Sequence, residues 1–346
     1  MITYSLKVAE VRHETADALT VCFKQPGLRK VKYKAGQYLT LIFRINGRKY
    51  IRPYSFSSCP EVDEFLEITI KRVYKGIVSN HIIDFLRVGD IIEVMPPMGD
   101  FIYNSDPKVK AVCLWGIGSG ITPLISIAKY ILFTENDVNV HLYYGNTNLN
   151  AVIFLNKIEE LQMKFPHRFN VKHFLSKLGL TENSQQSIMG RIDEKKVLDI
   201  LNDQTSLSGT SHYICGPSGL KKSVKNALSI KGVESRYVFV EDFEIVKDPI
   251  DFTDIYTQNV ELEFNGNKHT LEVIKGKSIL DSALDAGIEL PYSCQTGNCS
   301  TCKAILINGR CTMVGLSKDR DDLHANEYLL CCAHPLTDDV KIMVLN

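Results

Sequence analysis

Short runs of alternating apolar and polar residues fill the first hundred positions. Tyr38-Leu-Thr-Leu-Ile-Phe leads into Asn46-Gly47 and then Lys49-Tyr-Ile-Arg, and Phe65-Leu-Glu-Ile-Thr-Ile-Lys repeats the period. Regular short strands joined through an Asn-Gly turn predict an antiparallel β-barrel up to about Phe101. One helical piece, Ser79-Asn-His-Ile-Ile-Asp-Phe-Leu, interrupts it. After Asn104-Ser-Asp-Pro107 the pattern changes. Lys110-Ala-Val-Cys-Leu-Trp is a near-continuous apolar strand, followed by a Gly-rich turn and an apolar helix from Pro123 to about Phe133. Val138-Asn-Val-His-Leu-Tyr-Tyr reads as a second strand, with a helix from about Ile153 to Phe165. His212-Tyr-Ile-Cys opens another strand-turn-helix unit, and Tyr237-Val-Phe-Val is a last strand. Strands alternating with helices predict an α/β parallel sheet covered on both faces. Val246 to Asn259 has no clear period and reads as a linker. Beyond it, Val260-Glu-Leu-Glu-Phe, Asn265-Gly266, Thr270-Leu-Glu-Val and a helix from Ser278 to Ala286 begin a small mixed domain. The expected organisation is multidomain: 1–105, 106–245, a linker at 246–258, and 259–346.

The chain has 346 residues, 45% of them hydrophobic, enough for each domain to bury a core. Lysine plus arginine and aspartate plus glutamate balance at 40 each, which argues against nucleic acid or an anionic membrane as the main partner. No apolar run approaches the length of a membrane span, and the first residues lack a signal-peptide pattern, so a cytoplasmic protein is expected. The ten cysteines are too dilute for a disulfide scaffold. Five of them, Cys294, Cys299, Cys302, Cys331 and Cys332, crowd the last fifth, while Cys22, Cys59, Cys113 and Cys215 are scattered. A cluster plus a scatter predicts a metal site plus ordinary core thiols. Cys311, after the turn Asn308-Gly309-Arg310, reads as a packing or surface residue.

Cys294-x4-Cys299-x2-Cys302 followed by a distant cysteine has the spacing of a plant-type [2Fe–2S] site, in which each iron takes two thiolates. Gly297, Asn298, Ser300 and Thr301 are small enough to let the loop wrap close. A zinc site normally shows paired C-x2-C knuckles, so this spacing fits zinc poorly. The fourth ligand is Cys331 or Cys332, with 28 or 29 residues between it and Cys302.

Elsewhere, Arg52-Pro53-Tyr54-Ser55 follows a predicted strand and offers a charge, an aromatic plate and a hydroxyl. Gly76-Ile-Val78-Ser79 places a glycine and free amides at a helix start, a ready anion site. Gly116-Ile-Gly118-Ser-Gly120-Ile-Thr122-Pro123 joins a strand to a helix, as does Cys215-Gly216-Pro217, and Glu241-Asp-Phe243 closes the last strand. Each glycine turn alone is compatible with mere tight packing.

Together and in this order, these motifs resemble the ferredoxin-NADP reductase family, and with the cysteines they resemble the reductase components of multicomponent oxygenases, including the phenylacetyl-CoA epoxidase reductase group. The chain is also similar to deoxysugar-pathway reductases, which carry the ferredoxin module at the other end. Leu329-Leu-Cys-Cys-Ala-His-Pro resembles ferredoxin segments whose ligand lies four before the proline, Cys331 here, whereas the commoner ferredoxin gap favours Cys332. The resemblance implies a β-grasp (α+β) ferredoxin domain, an FAD-binding barrel and NADH or NADPH as donor. It places Tyr54 and Ser55 at the isoalloxazine, and Arg52, Val78 and Ser79 on the pyrophosphate. Thr122, Cys215 and Glu241 then shape the nicotinamide pocket. The implied activity is an NAD(P)H-dependent electron-transfer reductase serving a one-electron acceptor protein, a terminal oxygenase or, alternatively, a deoxysugar-pathway dehydratase. A third reading is an adaptor with structural zinc. Between strand and helix, Tyr144-Gly-Asn-Thr-Asn-Leu-Asn offers neither an acid for a ribose diol nor an arginine for a 2′-phosphate. Lys221 and Lys222 suit such a phosphate, or simply a solvated helix face.

Overall fold

Asn46-Gly47 and Asn265-Gly266 turn as their side chains dictate, with φ of 52° and 76° in the first pair and 52° and 75° in the second. Two successive positive φ values are what a tight two-residue hairpin requires, and Asn-Gly tolerates them at little steric cost. The computed structural model describes residues 2–27, 30–177, 187–203, 207–245, 247–316 and 318–345. Val246, the first residue of the predicted linker, lies outside the described residues, as do Met1 and Asn346. Contacts divide the chain into two compact units: Tyr4–Leu39 with Tyr54–Glu241, and Thr40–Pro53 with Asp242–Asn346 and the first three residues.

In the larger unit, strands Tyr4–Thr15, Ala18–Phe23 and Leu66–Lys71 pair antiparallel in turn, and Ile91–Met98 pairs antiparallel with the start of the first. A second sheet is wholly parallel and runs, from edge to edge, Ser187–Met189, Phe169–Leu175, Asn139–Asn146, Ala111–Ile117, Thr210–Cys215, Val238–Glu241. Chain order reverses between Ala111–Ile117 and Thr210–Cys215, so a topological switch point opens at their carboxyl ends. The helix Ile121–Thr134 is apolar almost all round, the signature of a buried helix. Its Leu124, Ile127, Ala128 and Ile131 share one core with Val112, Leu114 and Leu142 of the parallel sheet and with Ala18, Ala35, Phe101 and Tyr103. The strand Phe169–Leu175 and the helix Glu194–Asp203 are present although the hydrophobic pattern did not single them out.

Two polar contacts pin that helix to the segment 58–63. Ser126 Oγ donates to the Ser58 carbonyl at 2.6 Å. One turn on, the Lys129 ammonium, only 4% exposed, pairs with Asp63, whose side chain is 18% exposed. Asp63 also accepts from the Cys59 N–H at 2.6 Å, so its carboxylate stays hydrogen-bonded on both sides.

The smaller unit holds a five-stranded mixed sheet in the order Asn267–Val273, Gln258–Phe264, Lys341–Val344, Lys303–Asn308, Glu327–Leu329. Gln258–Phe264 and Lys341–Val344 run parallel, the other pairings antiparallel. One helix, Ile279–Asp285, is started by a capping box in which Ser278 and Asp281 each accept from the other's backbone N–H. Within the segment read as a linker, Pro249–Phe252 forms a 3-10 turn, and Phe252 and Ile255 pack with Val314. The hairpin strands of Thr40–Pro53 belong to this unit and grip residues 285–293. Thr40 Oγ1 and Ser293 Oγ share a buried hydrogen bond of 2.8 Å, and the Ile51 N–H donates to the Tyr292 hydroxyl at 3.1 Å. Around them Arg44 and Lys49 pair with Glu289, and Arg48 with Asp285, at 2.8–3.7 Å. Exposed ion pairs of this kind each contribute about 0–1 kcal/mol, so the two buried hydrogen bonds set the register and the charges ring it.

Removing one partner of a buried pair leaves an uncompensated charge, at a cost of about 3–5 kcal/mol. Asp63→Ala is expected to lower stability by about 3 kcal/mol, because it strands both Lys129 and the Cys59 N–H. Lys129→Met should cost less, since Asp63 keeps the Cys59 bond and some water. Urea unfolding followed by tryptophan fluorescence checks the order; equal losses, or none, would contradict it.

Candidate nucleotide and cluster sites

The strand Ala111–Ile117 ends in the 3-10 turn Gly118–Gly120, which runs straight into the helix Ile121–Thr134. A Cβ on Gly120 would overlap the carbonyl of Cys215, coming within 2.6 Å of its carbon, so the turn and the end of Thr210–Cys215 can approach only because position 120 is glycine. Gly118 has φ +55°, and a Cβ on Gly116 would meet Leu124 at 2.9 Å. Gly216 is equally confined, against Leu220 at 2.9 Å and the Ile117 nitrogen at 3.3 Å. Thr122 is buried, its hydroxyl donating to the Ser119 carbonyl at 3.0 Å, and Pro123 occupies the first helical turn. Pro217 caps the helix Ser218–Ile230.

Register brings the remaining nicotinamide residues together. Cys215 is paired with Gly116 on one side and with Glu241 on the other, so three predicted residues stand abreast on adjacent strands at the switch point. Burial, and then the Glu241 charge, push the Cys215 thiol well up, so it is a neutral packing group and no base. Backbone closeness at Gly116, Gly118 and Gly120, beside a fresh helix N-terminus, is what a dinucleotide needs to pass over the turn.

The sequence reading missed Lys71. It ends the strand Leu66–Lys71, pairs with Asp17 at 3.5 Å, and its Nζ stands 3.9 Å from where a Gly118 side chain would begin. That is a cation beside the nucleotide turn. No local signal in the sequence ties this strand to a turn almost fifty residues later.

Of the residues expected on the flavin side, Arg52 and Pro53 close the hairpin of the smaller unit, with Arg52 Nη1 donating to the Ile51 carbonyl at 2.8 Å. Tyr54 and the buried Ser55 end the same strand in the larger one. Gly76 caps the helix Ile77–Phe85 with no side chain satisfying its first amides and no acid in its first turn, which leaves it receptive to an anion. A Cβ there would strike Ser79 Oγ at 2.6 Å and Val73 at 2.9 Å. Val78 and Ser79 are both buried. The Ser79 hydroxyl accepts from the Val73 N–H at 3.1 Å and keeps its own proton for a further acceptor. These features fit a flavin nucleotide's diphosphate.

The cysteines lie close together. Cys294 interacts with Cys299, Cys302 with Cys331, and Cys331 also with Cys332. The hydrogen bond from Cys294 holds Cys299 down to about 6, and the same bond, with burial, holds Cys294 up. Cys302 is pushed up by its bond to Cys331 and by burial. Cys332 Sγ lies 3.7 Å from Cys331 Sγ, and a Cβ built on Gly297 would stand 3.0 Å from it. Among the described residues no three potential ligands converge on one ion. A C-x4-C-x2-C loop with a distant cysteine matches a binuclear cluster, in which each iron takes two thiolates, better than the paired C-x2-C knuckles of a structural zinc. Gly297 at φ +77° and Gln295 at φ 58° fold the loop so that the Thr296 and Cys299 N–H groups donate to Cys294 Sγ at 3.4 and 3.3 Å. Cys311 is buried and stands apart, at the head of Cys311–Met313. His212, deep in the core, accepts from Trp115 Nε1 at 3.3 Å and is held down to about 4 by burial, yet its Nε2 has no partner, so it is only half satisfied.

Comparison with known proteins agrees with this layout. Residues 5–103 match the oxidoreductase FAD-binding domain, 114–226 the oxidoreductase NAD-binding domain, and 262–337 the 2Fe-2S iron-sulfur cluster binding domain. The chain is 32% identical to the ferredoxin reductase component of 3-ketosteroid-9-alpha-monooxygenase from Rhodococcus rhodochrous, covering 97% of this chain and 95% of that protein. It is 30% identical to one of the subunits of 1,2-phenylacetyl-CoA epoxidase from Escherichia coli K12, covering 98% and 97%. Its fold matches a solved phthalate dioxygenase reductase with TM-score 0.67 at 23% identity, over 99% and 97% of the two chains. With an FAD-binding, an NAD-binding and a C-terminal 2Fe-2S domain in one order over nearly the full length of these relatives, the chain belongs to the ferredoxin-NADP reductase family, in the group of modular oxygenase reductases.

Proposed function

We propose that this oxidoreductase draws a hydride from NADH or NADPH and delivers single electrons to a separate protein, a terminal oxygenase or hydroxylase. The observation that carries the reading is the loop from Cys294 to Cys302, whose Thr296 and Cys299 N–H groups donate to Cys294 Sγ, in a chain whose parallel sheet sets Gly116, Cys215 and Glu241 abreast. When bound, the flavin takes an electron pair and releases it singly, and the cluster passes one electron at a time. The relatives named above serve oxygenases, which favours that acceptor over a dehydratase. All ten thiols are free, in keeping with work in the reducing cytoplasm.

On this reading Tyr54 plates the isoalloxazine and Ser55 donates at its reactive edge, while Arg52 and the amides of Val78 and Ser79 hold the pyrophosphate. The Gly118–Gly120 turn and Thr122 seat the nicotinamide dinucleotide, and Cys215 and Glu241 close the pocket wall. No residue here needs to act as a general base, because the hydride moves without one. Cys294, Cys299, Cys302 and Cys331 are the cluster ligands, with domain limits at 1–105, 106–245 and 259–346.

Two measurements test this. Anaerobic addition of NADH or NADPH should bleach flavin and iron–sulfur absorption together with the matching donor. A flavin spectrum with no iron–sulfur bands, and zinc by metal analysis, would refute the wire. For the ligands, Cys332→Ser should keep the cluster's visible and EPR spectra, whereas Cys331→Ser should lose or visibly alter them. The reverse pattern would assign Cys332 instead.

A further inference from the structure

One buried cation of the smaller unit serves none of these roles. Arg320 sits in the polar stretch Lys318-Asp-Arg-Asp-Asp, which reads as a solvated turn, yet its side chain is only 3% exposed. Its guanidinium closes over the cysteine loop. Nη1 donates to the carbonyls of Gly297 at 2.5 Å and Cys299 at 3.3 Å, and Nη2 to Ser300 Oγ at 2.7 Å. Nε and Nη2 donate to the Asp322 carboxylate at 2.7 and 2.8 Å, and Asp322 itself is 60% exposed.

The consequence follows from peptide planarity. In a trans peptide the N–H points opposite to the preceding carbonyl. With the Gly297 and Cys299 carbonyls turned out to the guanidinium, the N–H groups of Asn298 and Ser300 turn the other way. The Thr296 and Cys299 N–H groups already donate to Cys294 Sγ. One planar fork thus sorts the loop's dipoles, carbonyls outward to a cation and amides inward. A lysine cannot do this, since its ammonium lacks the rigid fork that engages several acceptors at once.

We propose that Arg320 is a positioning residue for the iron–sulfur cluster: it holds the cysteine loop in its amides-inward form and supplies a fixed positive charge that favours cluster reduction. This rests on the ligand reading above. Reduction would add one negative charge to a cluster held there, and a partly desolvated guanidinium close by would stabilise that state more than the oxidised one. Asp322, the exposed counter-charge, offsets part of the effect.

The test is an EPR-monitored redox titration of the full-length holoprotein, together with the rate of cluster loss to a chelator. Arg320→Gln should make cluster reduction about tenfold less favourable, a potential about 59 mV more negative for a one-electron couple. Arg320→Lys keeps the charge and should stay near the parent potential, but lose its cluster to the chelator several-fold faster. Asp322→Asn removes only the exposed carboxylate and should move the potential the opposite way, by less. A parent potential in both Arg320→Gln and Asp322→Asn, with a parent chelator lifetime in Arg320→Lys, would overturn the proposal. If Arg320→Gln cannot be isolated with its cluster, unchanged potential in Asp322→Asn and unchanged lifetime in Arg320→Lys overturn it on their own. An unmodified protein without any iron–sulfur EPR signal would instead overturn the ligand reading.

Discussion

The tightest constraint on the nicotinamide site is the approach of Gly120 to the carbonyl of Cys215, a distance that leaves no room for a side chain. Several features depend on it. It lets the turn leaving Ala111–Ile117 cross the end of Thr210–Cys215 at the point where chain order reverses, and that crossing puts a helix N-terminus above the sheet edge. It also fixes the register that sets Gly116, Cys215 and Glu241 abreast. A parallel sheet buried on both faces has few places where backbone amides remain available to a ligand, and the switch point is one of them. Gly116, Gly118 and Gly216 relieve the same crowding from neighbouring positions.

The cysteine loop solves a related problem with different means. Thiols brought close would repel one another as thiolates, and the fold surrounds them with donors: backbone amides at Cys294, and the guanidinium of Arg320 behind the carbonyls. Ser293, next to the first thiol, is fixed through Thr40 to the hairpin strands of the same unit, and Tyr292 through the Ile51 amide. The cluster loop is therefore held at its base by buried hydrogen bonds and over its top by a cation.

Much of this was legible because it is local. The Asn-Gly turns, the glycines of positions 116–120 and the helix beginning at Ser278 all express short-range geometry, and the structure realises each within a residue or two. What escaped was long-range. Lys71 meets the nucleotide turn across a sheet, and Arg320 reaches back over twenty residues to Gly297. Both occur in charged, ordinary-looking stretches where composition suggests solvent. The helix Glu194–Asp203 escaped for another reason: only Val197, Ile200 and Leu201 of its ten residues are buried, too thin a stripe to stand out. Cysteine order alone likewise left Cys331 and Cys332 open, and the two thiols stand side by side, 3.7 Å apart.

The two buried cations show why burial alone does not define a role. Lys129 meets one carboxylate, and that carboxylate meets one further donor, so the pair acts chiefly as a fastening between the helix Ile121–Thr134 and the segment after Ser58. A well-packed apolar pair of similar volume can replace such an arrangement with little loss, because the desolvation of both charges disappears together. Arg320 meets two carbonyls, a hydroxyl and a carboxylate in fixed directions. An apolar side chain would leave those carbonyls unpaired at about 1–3 kcal/mol each, free to rotate toward the thiols and reverse the dipoles of the loop. A fastening can be exchanged for another of equal strength. A group that sets the direction of its neighbours' dipoles is tied to its own geometry, and on that ground Arg320 belongs with the cluster loop and Lys129 with the core.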